Sequence, residues 1–255
     1  MKKAGERLLS LLIWAAALPV FVAGCVSVWS CSFLLRGRAL ESLIKAACRA
    51  VIGVCGIRLR VSGGENFVPG RQYIVMMNHI NFFDPLVFYA AFPGMARGIE
   101  EESHFHWPVY GGTIRRIGMF PISRSNTQRA VESLRRAARW IRSRPEFSLA
   151  ILPEGTRTRD GRLGAFKRGG FLLAIDAELD ILPIVQTGAL KIARKGSLLI
   201  RPGRVDMAIA PAIPTAGYAK ENVGELVERV RKAFESRLAG REPLRSVDAP
   251  LGPVI

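Results

Sequence analysis

From Leu8 to Leu35 the chain runs for 28 residues without one charged side chain. A helix needs only about 20 apolar residues to cross a bilayer, so this run reads as a membrane segment. Pro19 and Gly24 interrupt it. Two forms stay open: one kinked helix that spans, or two shorter pieces that dip in and return. Lys2, Lys3 and Arg7 precede the run as Arg36, Arg38 and Lys45 follow it, so flanking charge sets no orientation. Val22-Ala23-Gly24-Cys25 has the look of a lipoprotein processing site, but the apolar run continues for ten residues past Cys25, unlike the core of a cleaved leader. The expectation is a retained, membrane-embedded helical segment within residues 1–56.

Leu40, Leu43, Ile44, Ala47, Val51 and Val54 recur at helical spacing. Such a helix either lies on the membrane or packs on the body of the protein. Cys25, Cys31, Cys48 and Cys55 fall on apolar stretches without C-x2-C spacing, and the chain has three histidines, so zinc is not expected. The formal net charge of +16 calls for a polyanionic partner: nucleic acid, an anionic membrane surface or phosphorylated substrates.

Tyr73 to Met77 is a breaker-free apolar run that suits a buried strand, and Asn78 and His79 stand where it ends. Asp84-Pro85 then reads as a helix start, with aspartate as cap and proline at the first helical position. Open α/β sheets place their chemistry just past the carboxyl ends of strands. His79 sits there, and the four residues between it and Asp84 let a loop fold back so that a carboxylate can orient the imidazole as a general base.

Further strands are expected at Ile57–Val61, Gly118–Ser123, Phe147–Leu152 and Ile181–Val185, with a hairpin joining Ser197–Ile200 to Val205–Ala210 across Pro202-Gly203. Pro183 argues for an edge strand or one bordering the site. Residues 100–112 read as a surface loop. Ser125 and Gln128 form a capping box for a helix to Arg142, and Val223, Val227, Val230 and Phe234 stripe the last helix. Between Arg115 and Arg168, 14 basic residues face 4 acidic ones. In that stretch Glu154-Gly155-Thr156-Arg157 and Lys167 gather backbone amides and cations suited to phosphate.

Four blocks thus stand in order: NHINFFD at 78–84, GMFPISR at 118–124, LPEGTR at 152–157 and ILPIV at 181–185. Together they resemble the glycerolipid acyltransferase family over about residues 57–215. The resemblance implies that His79 is the general base and Asp84 its support. It assigns acceptor binding to Asn78, Arg124, Glu154, Gly155, Thr156, Arg157 and Lys167, and places Pro183 on the acyl-donor side.

The expected fold is α/β, a central mixed, largely parallel sheet flanked by helices over residues 57–239, followed by a poorly ordered 240–255 tail. The expected activity is acyl transfer from acyl-CoA or acyl carrier protein to a lysophospholipid, most simply 1-acylglycerol-3-phosphate, with no cofactor, no metal and no nucleic acid. The expected location is the inner membrane, with the catalytic part on the cytosolic face. The alternatives are a lyso-aminolipid acceptor, a thioesterase, or a non-catalytic protein that binds anionic lipid.

Overall fold

In a computed structural model of the chain, the described residues are 2–123 and 125–240. Arg124 and, Gly240 apart, the expected tail lie outside them. The helices are α1 Lys2–Cys31, α2 Gly37–Val54, α3 Asp84–Ala91, α4 Tyr110–Ile117, α5 Thr127–Arg142, α6 Gly169–Ala177, α7 Ala189–Ile192 and α8 Val223–Leu238. The strands are β1 Ile57–Ser62, β2 Ile74–Met77, β3 Met95–Glu101, β4 Phe120–Ile122, β5 Phe147–Ile151, β6 Ile181–Thr187 and β7 Gly203–Ile209.

The strands form one sheet in the order β1-β7-β6-β2-β5-β3-β4. Its pairs are parallel except β6 with β7, so β1 and β7 run against the other five. Side chains alternate across β2. Val75 and Met77 enter a core with α1, α2, α3 and α4, while Ile74 and Met76 enter a second core with α5, α6 and α8. The sheet is therefore covered on both faces, and its strand ends are the open places.

The apolar run is one helix that continues through Pro19, rather than two pieces. Gly24 is a point of close approach, since a β-carbon there would lie 3.1 Å from the Ala47 methyl of α2. Lys3–Cys31 is long and apolar enough to cross a membrane. It is nonetheless fastened to the sheet body along its length. Near its start Trp14 Nε1–H donates to the Leu198 carbonyl at 2.7 Å, and Ser10 Oγ accepts from Ile200 N–H at 2.9 Å. Near its end the Thr113 hydroxyl donates to the Cys25 carbonyl at 3.1 Å. Its outward side leaves Leu8, Leu11, Leu12 and Leu18 more than half exposed.

The apolar stripe of α2 packs on the body, burying Leu40, Ile44, Cys48 and Val51. Its charges are used as well. Arg49 donates to the Ala90 carbonyl that closes α3, and Lys45 to the Gly94 carbonyl just beyond.

Several expectations are corrected. Residues 100–112 are not a loop throughout, because β3 reaches Glu101 and α4 begins at Tyr110. Ser197–Ile200 forms no strand; β7 pairs instead with β1 and β6. Strand β6 lies inside the sheet, which overturns only the edge-strand reading of Pro183. Its carbonyl accepts from Ala210 N–H at 2.9 Å, so the missing donor faces the β7 side, just past the last ladder pair, Ile184 with Ile209. Helix α5 is capped by Asn126, whose side chain accepts from Arg129 N–H, rather than by Ser125.

Candidate active site

Strand β2 delivers Asn78 and His79 at its carboxyl end, and the loop to α3 folds back on them. Asp84 does not cap α3. Its fully buried carboxylate turns toward the loop, where Oδ2 accepts from Ile80 N–H at 2.6 Å and both oxygens lie within 3.2 Å of Asn81 N. The same Oδ2 lies 2.6 Å from His79 Nδ1. With a carboxylate as partner, Nδ1 carries the hydrogen and Nε2 keeps its lone pair. Nε2 has no hydrogen-bond partner among the described residues, and the His79 side chain is 11% exposed. This arrangement can take a proton from an incoming hydroxyl and hold the imidazolium that results.

Gln186 closes the other side. It ends the buried part of β6, beside β2 in the sheet, and its side chain donates to Asp84 Oδ1 at 2.6 Å and to the Asn78 carbonyl at 3.1 Å. The Asn78 side chain in turn clamps the Gln186 backbone, accepting from its N–H at 2.8 Å and donating to its carbonyl at 3.0 Å. Asn78 is therefore spent on joining two strand ends and presents no free group to a ligand. Asn81 is tied down likewise, donating to the Ala189 carbonyl at 2.7 Å.

The loop after β5 hangs from the main chain of His79. Glu154 Oε1 accepts from His79 N–H at 2.8 Å, and Thr158 N–H donates to the His79 carbonyl at 2.9 Å. The other oxygen of Glu154 accepts from Gly164 N–H at 2.8 Å. Buried and doubly engaged, Glu154 sets the shape of the site and leaves no oxygen for an acceptor lipid. Gly155 has φ +64, and a β-carbon there would lie 2.7 Å from Lys167 Cε, so the residue lets the loop turn and the lysine pass. Its amide is occupied by the Leu152 carbonyl.

Thr156, Arg157 and Lys167 line the outer side of this loop. A residue not foreseen joins them: Lys195 donates to Thr156 Oγ1 at 2.8 Å and to the Arg157 carbonyl at 3.1 Å. Arg157 has no acidic partner among the described residues, which leaves its guanidinium for an anion. His104 lies outside this group, pairing with Glu100 and packing on Trp107. Among the described residues no three His, Cys, Asp or Glu side chains are grouped to hold a metal ion.

A buried carboxylate and imidazole at a strand end, rimmed by cations, belong to acid–base chemistry on an anionic substrate. Residues 58–202 match the family model named Acyltransferase, and the chain belongs to that family. It is an O-acyltransferase.

The 1-acyl-sn-glycerol-3-phosphate acyltransferase of Limnanthes douglasii is 30% identical over 199 residues, covering 78% of this chain and 70% of that one. The protein of the same name in Pseudomonas aeruginosa is 26% identical over 239 residues, covering 92% and 90%. The crystal structure of the 1-acyl-sn-glycerophosphate acyltransferase PlsC from Thermotoga maritima shares the fold, with a TM-score of 0.81 at 24% identity over 96% of this chain and 100% of that one.

Proposed function

We propose that the chain is a membrane-associated acyltransferase that moves a fatty acyl group from a thioester to the free hydroxyl of 1-acylglycerol-3-phosphate, giving phosphatidate. The observation that carries this reading is the free Nε2 of His79, held in place by Asp84. The unpaired Arg157 and the neighbouring Lys167 and Lys195 supply charge for the acceptor's phosphate, and the relatives bear names that specify this acceptor.

His79 Nε2 takes the hydroxyl proton as the acceptor oxygen attacks the thioester carbonyl carbon. The tetrahedral adduct then expels the thiolate, which takes the proton back from the imidazolium. Asp84 stabilises the charged ring as it forms, much as the aspartate of a serine protease does. Among the described residues no serine or cysteine is hydrogen-bonded to His79, so the transfer is direct. The donor is acyl-CoA or acyl carrier protein, and no cofactor takes part.

α1 is tied to the body near both ends while its leucines face outward, so it lies along the membrane surface with its apolar side in the lipid. The sheet then stays on one side, the cytosolic face of the inner membrane, where soluble thioesters are found.

The test uses purified protein with palmitoyl-coenzyme A, with and without lysophosphatidate, following free thiol and phosphatidate together. Thiol release that depends on the acceptor and matches phosphatidate formation supports the reading. Release that ignores the acceptor would make the protein a thioesterase.

A further inference from the structure

Helix α5 carries Arg135, Arg136, Arg139 and Arg142, all exposed; Arg139 lies four residues from Arg135 and three from both Arg136 and Arg142, so they share its outer side. None of them forms an ion pair among the described residues. Like charges at this spacing repel, so the row weakens the helix that bears it. Its inner side buries Ala137, Ala138 and Ile141 in the core on one face of the sheet, while α1 belongs to the core on the opposite face. A lipid surface that receives α1 therefore lies on the far side of the protein, and the arginines point into water.

The row starts beside the site and runs away from it, since Gln72, just before β2, donates to the Ile141 and Arg144 carbonyls at the far end of α5, whereas His79 follows the other end of that strand. Leu134 of α5 touches the start of α6, lying 2.8 Å from where a β-carbon of Gly169 would be. Exposed Lys167 and Arg168 come just before that glycine, and Lys167 lies against Gly155 in the loop hung from His79. From Arg135 to Arg142 the row extends roughly 10 Å along the helix at 1.5 Å per residue. Arg136 also lines a cavity of about 390 Å³ with Arg115 and Arg129, but the row as a whole is an extended length suited to an acidic protein surface, whereas a single nucleotide calls for an enclosed, convergent set of groups.

We infer that the outer face of α5 is a landing surface for a small acidic carrier protein that bears the acyl group as a thioester on a flexible arm. The inference rests on the acyl-transfer reading and names its donor. Docked on α5, the carrier lays its arm along the Arg168–Lys167 surface toward His79. The charge complementarity speeds encounter and lowers the KM for the donor without touching the reacting atoms.

The test compares wild type with the triple variant Arg135→Glu, Arg139→Glu, Arg142→Glu, using palmitoyl-acyl carrier protein and palmitoyl-coenzyme A as donors. The KM for the carrier-bound donor should rise about tenfold or more, and wild-type KM should rise with salt, while kcat/KM for the coenzyme A donor stays within about twofold. A triple arginine-to-glutamine variant should move the same way by less, and melting curves confirm that both variants fold.

Binding of apo-carrier protein, which has no arm and no acyl group, is read without turnover. It should be lost in the variant. If neither donor is turned over at all, the transfer reading fails, while the binding result still judges the surface. Equal losses with both donors, an unchanged KM for the carrier, or a variant that loses only binding to phosphatidylglycerol vesicles or DNA overturns the inference.

Discussion

Gln186 Nε2 lies 2.6 Å from Asp84 Oδ1, and the other oxygen of that carboxylate is the one that meets His79. Asp84 is thus gripped on both sides, with one oxygen fixed by a neighbouring strand and the other aimed at the imidazole. Gln186→Leu removes the grip and keeps the backbone pair with Asn78. The expected result is a fall in kcat on the order of tenfold with little change in acceptor KM, since a loosened orienting group affects the transition state more than binding. A residue serving the fold alone would lower the melting temperature and leave the kcat of the folded protein in place.

Glu154 accepts from two backbone amides, one of them His79 N–H. Glu154→Gln turns one acceptor oxygen into a donor facing another donor. A buried group left without its partner costs about 1–3 kcal/mol. Chemical denaturation should show that loss, and activity should drop with it because the loop hangs from His79. Unchanged stability would mean that the carboxylate is not the tether described.

At Gly155 a methyl group meets both the positive φ and the Lys167 side chain. The left-handed conformation costs a non-glycine residue about 1–2 kcal/mol. Gly155→Ala should also raise the KM for lysophosphatidate, because Lys167 must move from the loop proposed to receive the phosphate. An unaltered KM would place the phosphate elsewhere.

Burial pushes the Cys48 thiol up to about 12 from an ordinary 9.0, with Cys25 and Glu41 adding to the effect. The folded state therefore keeps a proton that the unfolded chain releases. Stability from this group is complete below about pH 9 and declines as pH rises toward 12. Urea titrations from pH 8 to 10.5 should show falling stability, with a smaller fall in Cys48→Ala. At pH 8 the native thiol should resist Ellman's reagent until the protein unfolds.

What could be read in the chain was whatever its local pattern fixed. Strand β2 is an unbroken apolar run, while β5 and β6 are apolar runs interrupted only by Ser148 and by Pro183 before the polar end at Gln186, and each covers both faces of a sheet buried on both sides. His79 and Asp84 were legible because a strand end and a helix start bracket a short loop.

Strand β3 was not legible. It contains Arg97, Gly98 and two glutamates, and Arg97 is buried only because Glu41, 2.7 Å away, and the Phe147 ring, 4.3 Å from its guanidinium, come from distant parts of the chain. Helix α4 hid behind Gly111, where a β-carbon would lie 2.3 Å from the Phe105 carbonyl. Gln186 did leave a trace, a polar residue ending a buried run, as Asn78 and His79 end theirs. Only the adjacency of β2 and β6 gives it meaning.

The proposed transfer depends on removal of the acceptor's hydroxyl proton by His79. The most direct measurement is acceptor-dependent phosphatidate formation by purified His79→Ala beside wild type, with circular dichroism and melting curves matched. A loss of about 10²-fold or more in kcat with the fold intact is the predicted result. A folded His79→Ala protein that forms phosphatidate at close to the wild-type rate would contradict it.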